Sequence, residues 1–220
     1  MKKIPVVKNI LKANQQIANE NRQLFVEKGI YVMNLMSSPG AGKTSLLECS
    51  LSYLKDRYRI AVIEGDIQDT CDSDRIAALD IPAVQINTGG ACHLDATMIL
   101  QALPSLDLDN LDILIIENVG NLVCPAEFDV GENDKIMILS VSEGDDKPHK
   151  YPLMFSISSV LLINKIDLLP YVNFNMKMAR ETVKKLHPDI EIFDISCRNG
   201  TGLDVWYDWL IRRAEAVRSS

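Results

Sequence analysis

The residues of this chain with the means to do chemistry begin with Ser37-Ser38-Pro39-Gly40-Ala41-Gly42-Lys43-Thr44-Ser45, which follows the apolar run Ile30 to Met36 and precedes Leu46-Leu47. Strand, glycine loop, helix is the context of a phosphate-binding loop. Gly40 and Gly42 let the backbone around Ala41 curl until its N–H groups point inward, and a helix starting near Lys43 adds its positive dipole end. Lys43 is spaced to reach β- and γ-phosphates, and the Thr44 hydroxyl to enter the water-rich shell of Mg²⁺. The strict pattern has glycine where this chain has Ser37.

Carboxylates form a second group. The run Arg59 to Ile63 ends in Glu64-Gly65-Asp66, and the run Leu111 to Ile116 ends in Glu117-Asn118-Val119-Gly120. Alternating α/β chains place ligands at the carboxyl ends of their strands. Asp66 is therefore a candidate to hold a Mg²⁺-bound water, and equally a candidate turn or helix-capping aspartate. Glu117 takes the place of the switch carboxylate of nucleotide hydrolases, usually Asp, with the Gly120 N–H aimed at the γ-phosphate.

A third group, Asn164-Lys165-Ile166-Asp167, matches N-K-x-D. Such an Asp carboxylate accepts both the ring N–H and the exocyclic amine of guanine, a pair adenine does not offer. Lys165 would lie along the base, and Asn164 would brace the loops. Ser196-Cys197-Arg198 stands where a backbone N–H would meet the guanine oxygen, so Cys197 reads as structural. Lastly, Cys92, His93 and Cys124 combine thiolate and imidazole, which suit Ni²⁺ or Zn²⁺ better than Mg²⁺. Gly89-Gly90 frees the loop to turn neighbouring side chains toward one ion. From spacing alone, free cysteines and a loop histidine remain equally open.

Positioning these groups requires a sheet. Apolar runs at 30–36, 59–63, 83–86, 111–116, 135–141, 160–163 and 190–195 alternate with helical patterns at 43–54, 72–79, 94–103, 174–186 and 202–217. This predicts a mostly parallel sheet with helices on both faces. Leu203, Trp206, Tyr207 and Leu210 form a packing face at helical spacing. Val7, Ile10, Leu11, Ile17, Ala18 and Leu24-Phe25 predict an amphipathic helical arm over residues 1–28, set against the body or another subunit, before a domain spanning 29–220. Residues 142–148 read as a polar loop, with Lys147 open to a phosphate or dimer contact. Cys49 and Cys71 read as structural, and His149 and His187 as exposed rather than liganded.

The net charge of −7 argues against a nucleic-acid partner, which needs clustered Lys and Arg. The N-terminus lacks a signal-peptide pattern, and no run approaches the length of a membrane span. The expectation is a cytoplasmic protein without membrane contact. Its five scattered cysteines suit thiols or metal ligands better than disulfides.

Taken together, the segments 37–44, Glu64-Gly65-Asp66, Cys92-His93-Leu94-Asp95, Glu117-Asn118-Val119-Gly120-Asn121-Leu122-Val123-Cys124-Pro125 and Asn164-Lys165-Ile166-Asp167 resemble the HypB family of hydrogenase nickel-incorporation GTPases, from about Asn9 to the last helix. The resemblance implies a three-layer P-loop NTPase of the dimerising class that hydrolyses GTP to GDP, slowly, while loading nickel into [NiFe]-hydrogenase. It implies a shared Ni²⁺ or Zn²⁺ site of Cys92, His93 and Cys124 at a GTP-dependent homodimer interface. It further implies a HypA-like nickel-binding partner and, indirectly, the hydrogenase large subunit. Some members carry a Cys-x-x-Cys-Gly-Cys motif or a histidine-rich tract near the N-terminus, and this sequence shows neither. The alternatives are a related GTPase serving urease or a cobalamin enzyme, and a metal carrier with a structural nucleotide.

Overall fold

The computed structural model describes residues 6–66, 76 and 78–219. Seven strands form one parallel sheet: β1 (Tyr31–Ser37), β2 (Ile60–Asp66), β3 (Ala83–Asn87), β4 (Ile113–Glu117), β5 (Asp134–Ser140), β6 (Val160–Asn164) and β7 (Glu191–Asp194). They lie in the order β3-β2-β4-β1-β5-β6-β7. The described helices are α1 (Val6–Lys28) before the first strand, α2 (Lys43–Leu54), α3 (Ala96–Ala102), α4 (Cys124–Glu127), α5 (Lys147–Lys150), α6 (Pro152–Ser156) and α7 (Met176–Leu186) between strands, and α8 (Leu203–Arg218) after the last.

Strand alternation divides the core into two faces. Tyr31, Met33, Leu35, Ile113, Ile115, Ile136 and Ile138 point to the side covered by α2 and α8, where Leu47, Leu51, Trp206 and Leu210 are buried. Val32, Leu114 and Ile116 point to the other side, toward Phe25 of α1 and Ile99 of α3. Farther along that side, Met137, Leu139, Leu161 and Ile163 meet Phe155 of α6 and Val183 of α7. With both faces covered, β1, β4 and β6 are buried at every position, apolar but for Asn34 and for the polar residues that end each strand at the site. No described helix is long and apolar enough to cross a membrane.

The structure refines several expectations. The polar loop after β5 holds a short 3-10 turn at Val141–Glu143 and the start of α5. His187 is half-buried, with Nδ1 2.9 Å from the Ser158 carbonyl oxygen, so a backbone partner takes it out of solvent. His149 is exposed. The helix expected over 72–79, and Cys71, lie outside the described residues apart from Ile76 and the turn at 78–80.

Candidate functional site: a phosphate cleft, a base pocket and a thiol cluster

β1 sits where the strand order reverses, between β4 and β5, the switch point at which parallel sheets open a crevice. Its carboxyl end runs directly into the glycine loop. Gly42 caps α2 with φ 104°, a left-handed conformation that suits glycine. The resulting cleft, about 480 Å³, is lined by Gly40, Lys43, Thr44, Glu117 and Gly120 among others. Ala41 is fully buried behind it, and Ser45 lies on its wall. Lys43 Nζ donates to Ser37 Oγ at 3.2 Å. Thus the residue that departs from the strict pattern supplies a hydroxyl acceptor to the lysine.

The Thr44 hydroxyl donates to Glu117 Oε1 at 3.2 Å, and both groups are nearly enclosed. Glu117 stands in register beside Glu64 on β2, so two buried carboxylates share the cleft wall. Sequence reasoning weighed Asp66 and passed over Glu64. The strand register supplies the reason: Glu64, not Asp66, is the β2 partner of Glu117. Asp66 closes β2, and its side chain lies outside what the structure describes.

A second pocket of about 310 Å³ adjoins the cleft through Gly42, Ser45 and Lys165. Asp167, at its wall, accepts a hydrogen bond on Oδ1 from the Ser196 hydroxyl at 2.6 Å, which fixes the carboxylate plane. Asn164 Nδ2 donates to the Ala41 carbonyl at 3.0 Å, and Asn164 Oδ1 accepts from the Lys165 amide at 2.7 Å. Lys165 adopts φ 62°, unusual for a non-glycine residue, and its Nζ donates to the Gly40 carbonyl at 2.6 Å. The base motif is therefore tied to the phosphate loop by two direct bonds.

Cys197 also lines this pocket, and Cys49 faces it from α2. Burial pushes the Cys197 thiol up to about 12 and raises the Cys49 thiol as well, so both stay neutral. Cys49 was not expected here. Its contact with Cys197 joins positions 148 apart in sequence, which local spacing does not reveal.

Cys92, His93 and Cys124 do come together, with one potential ligand atom from each all within 4.8 Å of one another. Cys92 and His93 lie in the loop after β3, and Cys124 opens α4. The two sulfurs are 2.7 Å apart, and Cys92 Sγ is 3.7 Å from His93 Nδ1. The hydrogen bond with Cys92, and then burial, push the Cys124 thiol up to about 11. Burial lowers the His93 pKa from its ordinary value, favouring the neutral imidazole that ligates metals. Its ring lies against Phe128, with centroids 3.9 Å apart. A thiol-thiol-imidazole set is a soft donor site, unlike the all-oxygen pair of Thr44 and Glu117.

One side chain touches both regions. Asn118, fully buried after β4, accepts from the Leu94 and Val119 amides at 3.0 Å each and donates to Asn34 Oδ1 of β1 at 3.2 Å. Leu94 follows His93 and packs so closely on Gly65 that a Cβ there would come 2.6 Å from Leu94 Cγ.

Comparison with known proteins agrees with this arrangement. The family described as CobW/HypB/UreG, nucleotide-binding domain, matches residues 31–194. The hydrogenase maturation factor HypB of Escherichia coli (strain K12) is 52% identical over 92% of this chain and 70% of its own length. The probable hydrogenase maturation factor HypB of Methanocaldococcus jannaschii is 38% identical over 98% of this chain and 97% of its own. The crystal structure of HypB from Helicobacter pylori in complex with nickel matches with a TM-score of 0.88 at 41% identity, covering 93% of this chain and 96% of that one.

Proposed function

Because the chain belongs to the CobW/HypB/UreG family, among the HypB hydrogenase maturation factors, we propose that it hydrolyses GTP and uses nucleotide state to gate passage of nickel through Cys92, His93 and Cys124 toward a [NiFe]-hydrogenase. The observation that carries this reading is the short segment Glu117 to Cys124. It begins on the phosphate cleft, ends on the thiol cluster, and is tied to the Leu94 amide by Asn118.

Asp167 selects guanine through paired acceptance, with Ser196 holding the carboxylate. Lys43 and the loop amides from Gly40 to Ser45 receive the phosphates and stabilise charge developing on them. The oxygen donors of Thr44 and Glu117 fit a hard divalent cation such as Mg²⁺, with Glu64 and Asp66 at the same strand end. Such an ion supplies neutralisation of phosphate charge. Glu117, bonded to Thr44, senses whether the γ-phosphate is present, and Gly120 carries that difference toward Cys124. At Gly120 a Cβ would come 3.0 Å from the Pro39 backbone nitrogen of the phosphate loop, so the two segments are in direct contact.

Three ligands leave a nickel or zinc ion open to a further donor. A second copy of this chain, joined when GTP is bound, or a HypA-like partner supplies it. Val123, beside Cys124 and 55% exposed, offers an apolar contact for either.

The test is a Ni²⁺ titration with oligomeric mass, run with GDP and with a non-hydrolysable GTP analogue, on wild type, Cys124→Ala and Lys43→Ala. A nucleotide-dependent change in nickel affinity that Cys124→Ala abolishes, with turnover lost in Lys43→Ala, supports gated transfer. Nickel affinity indifferent to nucleotide in wild type overturns it and favours a carrier with a structural nucleotide.

A further inference from the structure

We infer that α1 is a clamp that fixes the spacing of the metal ligands, with Asn14 and Asn21 as its positioning residues. This rests on the reading of Cys92, His93 and Cys124 as a metal site. Asn14, Ala18, Asn21 and Phe25 recur at intervals of four, three and four, so they share one face of the helix, and all four are buried. A buried amide is costly unless its hydrogen bonds are made. On an otherwise apolar face, two asparagines signal that specific partners are required.

Those partners are the two segments that carry the ligands. Asn14 Nδ2 donates to the Asp129 carbonyl at 2.7 Å, while its Oδ1 accepts from the Ala96 amide at 2.9 Å. A single side chain thus joins both segments. Two helical turns later Asn21 makes the bridge through its amide nitrogen alone: Nδ2 donates to the Ala96 carbonyl at 2.9 Å and the Val130 carbonyl at 3.2 Å, while its buried Oδ1 has no partner among the described residues, so Asn14 is the stronger of the two bridges. Ala96 opens α3 three residues after His93, and Asp129 follows Phe128, whose ring rests on His93. Arg22 adds an ion pair to Asp129 at 2.7 Å, and Gly131 meets α1 so closely that a Cβ would come 2.8 Å from Asn21 Cβ. The separation of Cys92 and His93 from Cys124 is therefore set by a helix that contributes none of its described residues to the lining of the phosphate cleft.

Full-length Asn14→Ala, Asn14→Asp and Asn21→Ala, with Cys124→Ala as reference, are titrated with Ni²⁺ while following thiolate-to-nickel charge-transfer absorption, and separately with GDP. Asn14→Asp keeps the shape and the bond from Ala96 but sets a carboxylate oxygen against the Asp129 carbonyl, opening the bridge alone. The clamp predicts nickel affinity weaker by roughly tenfold, the scale of losses when groups supporting a metal's ligands are removed. It also predicts a shifted absorption band and unchanged GDP affinity. Should the asparagine variants fail to fold, Arg22→Ala, at a partly exposed ion pair, decides the question with the same readouts and the same direction of change. Unchanged affinity and band in the folded variants, with nickel binding lost in Cys124→Ala, overturn the clamp alone. Unchanged nickel binding in Cys124→Ala overturns the metal site and the clamp with it.

Discussion

The amide of Leu94 donates to the side-chain oxygen of Asn118 at 3.0 Å, so the loop carrying Cys92 and His93 hangs from the residue that follows Glu117. Asn118→Ala leaves a buried amide without its acceptor, a loss of about 1–3 kcal/mol in stability. Under the gating reading, it also removes the nucleotide dependence of nickel affinity, since it cuts the hydrogen bond that joins the segment after Glu117 to the loop of Cys92 and His93. Nickel affinity measured with GDP and with a GTP analogue should become equal in this variant. A ratio identical to wild type would exclude Asn118 from the coupling.

Asp167→Asn replaces one acceptor oxygen with a donor amide. Guanine then meets a donor at its own amine, while xanthine, with a carbonyl at that position, gains a partner. GTP affinity should fall by at least ~10²-fold and preference should turn toward xanthosine triphosphate, because a polar group mismatched in a buried site is penalised heavily. Competition between the two nucleotides measures this directly.

Gly42→Ala confronts two obstacles: φ 104° and a Cβ position 2.5 Å from Asn164 Nδ2. Relieving the second displaces Asn164 from the Ala41 carbonyl. Backbone strain of about 1–3 kcal/mol, if relieved only by giving up the bound loop conformation, corresponds to roughly 5- to 150-fold in nucleotide affinity. The loss should be similar for GDP and GTP, since the contact ties base motif to loop rather than to the γ-phosphate. A fluorescent-GDP titration showing wild-type affinity would contradict this account.

Far from the site, Arg59 hydrogen-bonds Asp112 through Nε, Nη2 and the backbone amide, and the guanidinium holds the carboxyl below its ordinary value. A carboxylate whose pKa is depressed on folding adds stability above its unfolded pKa, and loses it as pH falls through the folded value. Asp112→Asn should therefore cost about 1–2 kcal/mol at pH 7, discounted because the Arg59 side chain is half open to water. The gap from wild type should close as pH drops below about 4. Denaturant unfolding at pH 7 and pH 3.5 tests the sign, and a gap that widens in acid would refute it.

The sheet was legible because both-face burial leaves continuous apolar strands such as Leu114 to Ile116, and the glycine loop because its geometry is local. The order of the strands, and hence the pairing of Glu64 with Glu117, depended on long-range register that spacing does not encode. The helices Cys124–Glu127, Lys147–Lys150 and Pro152–Ser156 are too short for a 3.6-residue period to show. Asn14 and Asn21 stayed hidden for a different reason. On a helix that alternates apolar with polar residues, an asparagine reads as the solvent side, and only its distant carbonyl and amide partners reveal it as interior.

The bridging bonds of α1 also order events in time. They join positions separated by 75 to 115 residues, so α1 waits for the chain as far as Asp129 and Val130 to be made before its inner face has these partners. At a synthesis rate of about 5–20 residues per second, that interval is on the order of ten seconds. On the clamp reading, Cys92, His93 and Cys124 are joined only through the Leu94–Asn118 bond until that interval ends. The final spacing of the three side chains is then a late property of the nascent chain.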